Sequence, residues 1–509
     1  MGSASPQDRH DRLWPAAPRK LLGALFSAAI GMGLGAAAGL APAEAALQGV
    51  PAQGAPGAQA AADTPDPDES ARRAIDPGVA PGPFVRYTER PSLTPDLRAC
   101  SSRVPVCVHT SSARNSAAAM ATLDAFERAW QTLTGALAIP APDVDPLTLA
   151  YDVFLVEPSG ETAATELEAR DVRSRIDRAR AFTTIDRRVR AGCGLDALAA
   201  TQIARASLFR TAPATEEGTA RAQSTYLAQL AVPCSVAFSA DAVHAFQSRP
   251  ERAFCDSRAG DPSAVAGGAQ VFERSPLDRL FSDGAATFWA RLDWAFGRVP
   301  GGIVSASWAL HPTMTPLGAA RWTNEPDTFD VLRTTFKGAL STNGTVNDLW
   351  LDFGVARAFL GSADDGFHLP ELRTLGDAAR VPLDWDIPWP SAPRRLGPRA
   401  PVHPTGSSYL LIRRDGTRPG ARLRVEIEWE EHALFRWAFV KLDASGRELG
   451  RVVIPTAERA TQAQMTLVDL EGVDRVLLVG VNTGDPAYTF DPDDEVWEPH
   501  GWLVTIAEE

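Results

Sequence analysis

The chain has 509 residues, a length that allows roughly two or three domains with sizeable hydrophobic cores. Its net charge of −13 excludes non-specific nucleic-acid binding, because that binding requires a basic surface. Hydrophobic residues make up 45% of the chain and charged residues 22%, as in ordinary globular proteins.

The N-terminus predicts a bacterial export signal. Arg12, Arg19 and Lys20 form a basic start, and an apolar stretch follows over residues 21–40. The pattern Ala-Glu-Ala at residues 43–45 fits a cleavage site, so we expect residues 1–45 to be a signal peptide. An uncleaved membrane anchor is the alternative, since about 20 apolar residues can span a bilayer. In both cases the protein is expected to be secreted, periplasmic or on the cell surface, with no other membrane segment.

Two Pro-rich passages divide the remaining chain. Residues 46–83 are rich in Ala, Pro and Gly and have almost no large apolar side chains, which predicts a disordered linker. Residues 382–404 form the second passage, an ordered connection because Trp385 and Trp389 favour burial. The domains are then expected at residues 84–381 and 405–509.

Hydrophobic periodicity in the first of these domains predicts an α/β fold with a helical subdomain. Strands are expected at residues 106–112, 149–157 and 181–189, and a helix at residues 115–137. Residues 200–230 predict two helices folded back on each other, with a charged turn at Glu216 and Glu217. Two more helices are expected, one at residues 282–297 that begins at the N-cap Ser282 and one at residues 345–360.

In the last expected domain, the apolar residues recur with a period of two residues. In residues 423–429, Leu423, Val425, Ile427 and Trp429 alternate with charged residues, which indicates a half-buried strand. Six further runs of this kind bring the number to seven short strands, typical of an antiparallel β-sandwich. The expected fold class is therefore α+β.

Five cysteines in an exported protein predict two disulfides and one cysteine left over. Cys100 and Cys107 are close enough in sequence to close a small loop. Cys193 and Cys234 flank the two antiparallel helices, so these helices bring them to the same end. Cys255 would then be unpaired or would pair between molecules. No two cysteines have Cys-x-x-Cys spacing, so the sequence does not predict a metal cluster.

From about residue 106 onward, this order of elements resembles the secreted bacterial zincin-type metalloproteases, in particular those similar to the immune-inhibitor-A peptidases. In that family the first helix of the pair carries HExxH, and the second carries a glutamate in a segment like EGTA. The matching positions are Thr201, Gln202 and Arg205 within "TQIARA", and Glu217 within "EGTA". The resemblance implies a zincin-like α/β domain with a helical subdomain, followed by the sandwich.

The chemistry of that family is missing from these positions. Two histidines one turn apart bind zinc, and the intervening glutamate is the general base for the zinc-bound water. Thr201 is a poor zinc ligand, Gln202 cannot accept the proton, and Arg205 would repel a dication. The resemblance thus implies a vestigial site with no catalytic or metal-binding residues, in which Arg205 pairs with Glu217. The alternative is that the two helices are ordinary core helices unrelated to a peptidase.

Other metal sites are weakly indicated. No two histidines are close enough in sequence to form an HxH or HxxxH pair, so a zinc site would need histidines from distant segments. Asp491, Asp493 and Asp494 could bind calcium, but their spacing matches no known calcium loop and favours a solvated acidic turn. We expect no cofactor.

These features predict an exported pseudoenzyme rather than an enzyme. This pseudoenzyme would bind an unidentified protein or peptide, or would form part of the cell surface. The first alternative is an active secreted hydrolase, a zinc metallopeptidase with an atypical site. The second is an adhesion or carbohydrate-binding protein whose function lies in the β-sandwich.

Overall fold

The computed structural model describes residues 88–157, 162–170, 177–256, 276–311, 324–336, 345–415, 420–457, 459–485 and 498–509. The expected signal peptide, the whole expected linker and the three aspartates at 491, 493 and 494 lie outside these residues. The described chain is α+β, as the sequence predicts. None of its helices combines the length and the apolar character needed to cross a bilayer.

A five-stranded mixed sheet forms the first layer. Its strands are β1 (Leu97–Cys100), β2 (Val106–Thr110), β3 (Tyr151–Val156), β4 (Ala163–Arg170) and β5 (Ala179–Asp186). They are arranged in the order β1-β2-β3-β5-β4, with β2, β3 and β5 parallel and the two edge strands antiparallel. The apolar central strands are those that the sequence predicts. The sequence pattern does not predict the two edge strands, β1 and β4, because they contain fewer large apolar residues.

Nine helices are found in the described residues. They are α1 (Ser116–Trp130), α2 (Cys193–Thr211), α3 (Glu217–Ala231), α4 (Ala240–Gln247), α5 (Pro276–Gly284), α6 (Ala286–Phe296), α7 (Gly302–Leu310), α8 (Thr328–Phe336) and α9 (Val346–Arg357). The expected single helix at residues 282–297 is wrong. Ser282 lies within α5 and donates to the Asp278 carbonyl oxygen at 3.1 Å instead of capping a helix. By contrast, Thr345 caps α9 in a reciprocal pair of hydrogen bonds with Asp348.

Helices α1 and α2 cover one face of the five-stranded sheet. Val108 and Val153 from the sheet join Phe126 from α1 and Ile203 from α2 in one buried core. Part of the other face contacts residues 88–96, which we call the strap. The strap begins at the β4 edge, where the Thr88 amide donates to the Leu167 carbonyl oxygen at 2.8 Å, and leads into β1 at the opposite edge.

The described residues of the C-terminal part form a β-sandwich of nine strands. They are β6 (Trp385–Pro388), β7 (Arg394–Leu396), β8 (Ser407–Arg413), β9 (Leu423–Trp429), β10 (Phe435–Leu442), β11 (Glu448–Ile454), β12 (Gln462–Leu467), β13 (Arg475–Asn482) and β14 (Trp502–Glu508). One sheet has the order β11-β10-β13-β8-β6 and the other β12-β9-β14-β7. All seven expected strands are present. The other two, β6 and β7, lie in the Pro-rich passage expected to be a connection.

The sandwich and the helices share a continuous core. Strands β8, β10 and β13 are buried on both faces: Leu410, Phe439 and Leu478 point between the two sheets, while Tyr409 and Val479 join the helical core. Helix α9 lies directly on this outer face. A side chain at its Gly354 would come within 2.6 Å of Val481, and the Tyr409 hydroxyl donates to the Gly354 carbonyl oxygen at 2.7 Å.

Both expected disulfides are present. Cys100–Cys107 joins paired residues of β1 and β2, and Cys193–Cys234 joins the start of α2 to the residues that follow α3. Cys255 is unpaired and 1% exposed. Burial raises the pKa of its thiol well above the usual range, and the nearby Glu216 and Asp256 carboxylates add to this rise.

The sandwich core predicts the effect of a charge in β9. Leu423 is 0% exposed, and Leu423→Asp should reduce the free energy of unfolding by roughly 2–5 kcal/mol, since it replaces apolar contacts with a buried unpaired charge. Urea unfolding monitored by circular dichroism measures this. Glu428→Ala, on the exposed face of the same strand, is the control and should change stability little. Equal stability of the two variants would contradict the assignment of the buried face.

Candidate functional site

The pair α2 and α3 forms an antiparallel hairpin, closed at one end by Cys193–Cys234 and at the other by residues 212–216. More than half of its buried residues are small, namely alanine, glycine, serine or threonine, which lets the two helices approach closely. Helix α2 also packs against α1 and the sheet, while α3 packs against α5 and α6. The four candidate positions lie in the middle of α2 and at the first residue of α3.

Arg205 and Glu217 form an ion pair across the hairpin, between Nη2 and Oε2. Their side chains are 15% and 25% exposed, so the pair is only partly screened by water. The Arg205 guanidinium also lies 5.4 Å from the ring centroid of Phe209. Thr201, one helical turn before Arg205, donates its hydroxyl to the Ala197 carbonyl oxygen at 2.9 Å. Arg205 and Glu217 are therefore brought together as the sequence predicts.

The ion pair continues into a row of charges along α3. Arg221 Nη1 lies 4.0 Å from Glu217 Oε1. Arg221 also binds Asp283 of α5 through two parallel hydrogen bonds of 2.9 and 2.8 Å. Glu217 thus lies between two guanidinium groups, and this row has two positive and two negative side chains. A divalent cation placed at Glu217 would be repelled by both arginines.

Gln202 is held by a chain of buried hydroxyl groups. Tyr151 OH contacts Thr183 Oγ1 at 2.6 Å, Thr183 Oγ1 contacts Thr165 Oγ1 at 2.8 Å, and Thr165 donates to Gln202 Oε1 at 2.7 Å. Since Thr165 donates its only proton to Gln202, it must accept from Thr183, which in turn accepts from Tyr151. The carboxamide oxygen of Gln202 is thereby directed at β4, where it acts only as an acceptor.

Gly218, in the "EGTA" segment, has a structural role that needs no metal. A Cβ atom at this position would lie 1.9 Å from the Cys255 carbonyl oxygen, so only glycine lets α3 approach that backbone. The next two residues, Thr219 and Ala220, are 0% and 1% exposed. This part of the motif is thus required by packing alone, which also fits the interpretation of two ordinary core helices.

The candidate positions do not fit a zinc ion. Zinc in proteins takes sulfur, imidazole or carboxylate ligands. Here the only carboxylate is Glu217, which is paired with Arg205, and the Thr201 hydroxyl is used within α2. No step of metal chemistry can be derived for these four residues.

A second cluster, which the sequence pattern does not reveal, joins the helical part to the sandwich. His368 is 1% exposed and stacks on Phe359 at 4.2 Å between ring centroids. Its Nδ1 lies 2.9 Å from Asp365 and its Nε2 lies 3.0 Å from Glu448 of β11. Atoms of Asp365, His368 and Glu448 lie within 4.8 Å of one another, a spacing that could hold a metal.

Arginine fills the space that a metal would need in this cluster. Arg451 binds Glu448 at 2.8 and 2.9 Å and places Nη2 3.1 Å from His368 Nε2. It also donates to Asp352 of α9 at 3.0 Å, and Asp352 binds Arg291 of α6 at 2.8 Å. The two carboxylates beside His368 contact opposite ring nitrogens, so an ion bound to either nitrogen would replace one of these hydrogen bonds. The cluster fits a buried charge network.

The buried network shifts the pKa of its carboxyl groups. Burial alone would raise the pKa of Glu448 and Asp352. For Glu448, the charge of Arg451 and the hydrogen bonds from Arg451 and His368 together outweigh burial, so the pKa is lowered. For Asp352, the charges of Arg291 and Arg451 and the hydrogen bond from Arg291 together have the same effect. The pKa of Asp365 is also lowered, because the hydrogen bonds from His368 and from the backbone N–H groups of Phe367 and Glu448, with the electrostatic attraction of His368, together outweigh burial. The sequence holds no local signal for this network, since His368 and Glu448 are 80 positions apart (448 − 368).

Comparison with known proteins adds no family. No protein-family profile matches this chain, and no curated protein shows significant similarity to it.

The close approach of Gly218 to the Cys255 backbone predicts different effects for Gly→Ala changes at Gly218 and at Gly194. Gly218→Ala should reduce the free energy of unfolding by roughly 1–3 kcal/mol, because the Cys255 backbone would have to move. Gly194→Ala, in the first turn of α2 with nothing within 4 Å of its Cβ, should be neutral or stabilise by roughly 0.5–1 kcal/mol. Thermal and urea unfolding measure both. A Gly218→Ala variant as stable as the wild type would contradict the close contact with the Cys255 backbone.

The buried network predicts a strong effect at Arg451. Arg451→Met should cost roughly 3–5 kcal/mol at pH 7, because Glu448 and Asp352 keep their buried charges without this partner. Arg424→Met, which removes an exposed ion pair with Glu426, is the control and should cost under about 1 kcal/mol.

The same variant tests the pH dependence. Carboxyl groups with lowered pKa values stabilise the folded state above their unfolded pKa of about 4, and this stability is lost as the pH falls. Wild-type stability should therefore decrease in acid, and the Arg451→Met variant should lose less between about pH 5 and pH 2. An equal loss would show that Arg451 does not hold the carboxylates in the ionised form.

Proposed function

We propose that this protein is an exported, metallopeptidase-like pseudoenzyme that binds a peptide or protein without cleaving it. The observation that carries the proposal is the Arg205–Glu217 ion pair, because it places a guanidinium beside the one carboxylate that matches a zinc ligand of the resembled family. A fixed positive charge thus stands in place of the metal.

Three further features support the proposal. The strands β2, β3 and β5, with α1 between β2 and β3, precede the α2–α3 hairpin in the chain, and this is the order of elements on which the resemblance rests. The hairpin brings positions 205 and 217 together across two helices. The two disulfides are typical of proteins in an oxidising compartment, which supports export.

The side chains present favour binding over hydrolysis. Gln202 has no basic atom that could take a proton from water, and a guanidinium keeps its proton at every physiological pH. Arg205 can donate hydrogen bonds to a peptide carbonyl or to a carboxylate, but it cannot generate a hydroxide nucleophile as a metal does. A bound peptide would therefore be held and left intact.

The described residues give less support to the alternatives. Carbohydrate-binding sandwiches usually present aromatic side chains to solvent, but of the tryptophans described in the sandwich only Trp385 is appreciably exposed, at 38%. Trp429, Trp437 and Trp502 lie in the core. An active metallopeptidase would need a ligand set that the hairpin residues do not supply.

Restoring the lost ligands tests the proposal. The triple variant Thr201→His, Gln202→Glu and Arg205→His should bind one zinc ion, because positions 201 and 205 share a helix face and Glu217 already reaches position 205. The Thr165 hydroxyl can donate to the new carboxylate as it does to Gln202. Isothermal titration with zinc measures the stoichiometry, and circular dichroism verifies folding.

A matched control identifies the third ligand. Adding Glu217→Gln to the triple variant should weaken zinc binding by at least about tenfold, since the amide is a poorer ligand than the carboxylate. A well-folded triple variant that binds no zinc would favour two ordinary core helices over a peptidase origin. Stoichiometric zinc in the wild-type protein, with chelator-sensitive proteolysis, would support the active metallopeptidase instead.

A further inference from the structure

The strap is attached to the sheet by charged side chains. Arg90 contacts three carboxylates: Asp145 at 2.6 Å, Asp152 at 2.8 Å and Glu168 at 2.5 Å. These belong to the loop before β3, to β3 itself and to β4. The strap is the first described segment after the expected linker.

His109 of β2 forms the second attachment. Its side chain is 5% exposed and stacks on Phe154 at 4.7 Å between ring centroids. Nδ1 lies 2.9 Å from Oδ1 of Asp96 in the strap, and Nε2 lies 3.1 Å from Oδ1 of Asp152 in β3. The imidazole therefore links the strap to the interior of the sheet.

The two carboxylates define the protonation state that this geometry requires. An ionised carboxylate only accepts hydrogen bonds, so both ring nitrogens of His109 must donate, and only the doubly protonated imidazolium can do so. Neutral His109 would point one lone pair at a carboxylate. The Asp152 carboxylate is completely buried and accepts hydrogen bonds from both Arg90 and His109. Loss of the imidazolium charge therefore leaves this carboxylate with one positive partner.

The charges around His109 come from several neighbouring elements. The strap supplies Asp96 and Arg90, and β1 supplies Arg98, which is paired with His109 across the two strands. Strand β3 supplies Asp152, the loop before β3 supplies Asp145, and β4 supplies Glu168. Burial would lower the pKa of His109, but the hydrogen bonds to Asp152 and Asp96 outweigh burial, so the pKa is raised above its ordinary value.

We propose that the strap is a proton-controlled latch, which stays bound to the sheet while His109 is an imidazolium and opens more often once His109 is neutral. Arg90 and the Cys100–Cys107 disulfide still hold the two ends, so the opening is local and the domain stays folded. Opening would uncover the part of the sheet face that carries His109 and Phe154.

The sign of the effect follows from linkage. A histidine whose pKa is higher in the closed state stabilises that state fully below the open-state pKa of about 6.5, and the effect is lost as the pH rises through the closed-state value. The opening equilibrium constant should rise between these two values by at most about tenfold per pH unit, and it should be constant on either side.

Two measurements on the full chain test the latch. Carbon-13 NMR of histidine-labelled protein should show His109 titrating above pH 6.5. Hydrogen exchange of residues 88–96, expressed as protection factors against an unfolded peptide of the same sequence, should show protection decreasing over the same pH range. The amides of α2 serve as the internal reference and should remain protected throughout.

Variants separate the latch from a merely structural contact. Asp96→Asn keeps the side-chain shape but removes one charge, so the His109 titration should move down and the strap should lose most of its pH dependence. His244→Gln, which alters a more exposed histidine bonded to the Ala378 carbonyl oxygen, should leave both measurements unchanged. The proposal is overturned if wild-type His109 titrates at or below 6.5, or if strap protection is independent of pH. The wild-type measurements decide this even if a variant does not fold.

Discussion

The structure depends on one constraint, the burial of strands β8, β10 and β13 on both faces. A sandwich sheet normally leaves its outer face to water, and its strands then alternate apolar and polar residues. Here the outer face carries Tyr409 and Val479, and exposing it would cost roughly 25 cal/mol for every Å² of apolar surface. Helix α9 covers it, and Gly354 allows the close contact. The helical part and the sandwich are thereby joined into one core.

This joint explains why charges are buried beside it. Arg357 at the end of α9 is 1% exposed and donates to the Phe246 carbonyl oxygen at 2.9 Å and to Gln247 Oε1 at 3.0 Å. Burial lowers the pKa of this guanidinium. The network of Arg291, Asp352 and Arg451 lies along the same joint, between α6, α9 and β11. Such groups are costly to bury, and their satisfied hydrogen bonds keep the two parts in one arrangement.

Arginine occupies the centre of both clusters in which a metal could be considered. Arg205 lies against Glu217, and Arg451 lies among Glu448, Asp352 and His368. A guanidinium offers five donors in a fixed plane and cannot lose its proton, so it can neutralise carboxylates permanently. It cannot change coordination or activate water. The proton-dependent group that we propose is instead His109, whose imidazole, unlike a guanidinium, can gain and lose a proton.

The sequence by itself determined the parts of the structure that have a local, periodic signal. The central strands β2, β3 and β5, the α2–α3 hairpin and seven sandwich strands follow from apolar periodicity, because that pattern records which side of an element faces the core. The placement of Cys193 and Cys234 followed from antiparallel helices of similar length, whereas the pairing of Arg205 with Glu217 was implied by the resemblance. Only the tertiary structure decided the rest. The edge strands β1 and β4 and the short strands β6 and β7 form because a neighbouring strand offers its backbone groups. Met120 of α1 is 50% exposed, although its spacing in the sequence is that of the apolar residues on the buried face of this helix. The contacts of His368 with Glu448, and of His109 with Asp96 and Asp152, are formed by the folding of the chain. The sequence contains no periodic pattern that predicts them, because an ion pair depends on distance in space and not on spacing in sequence.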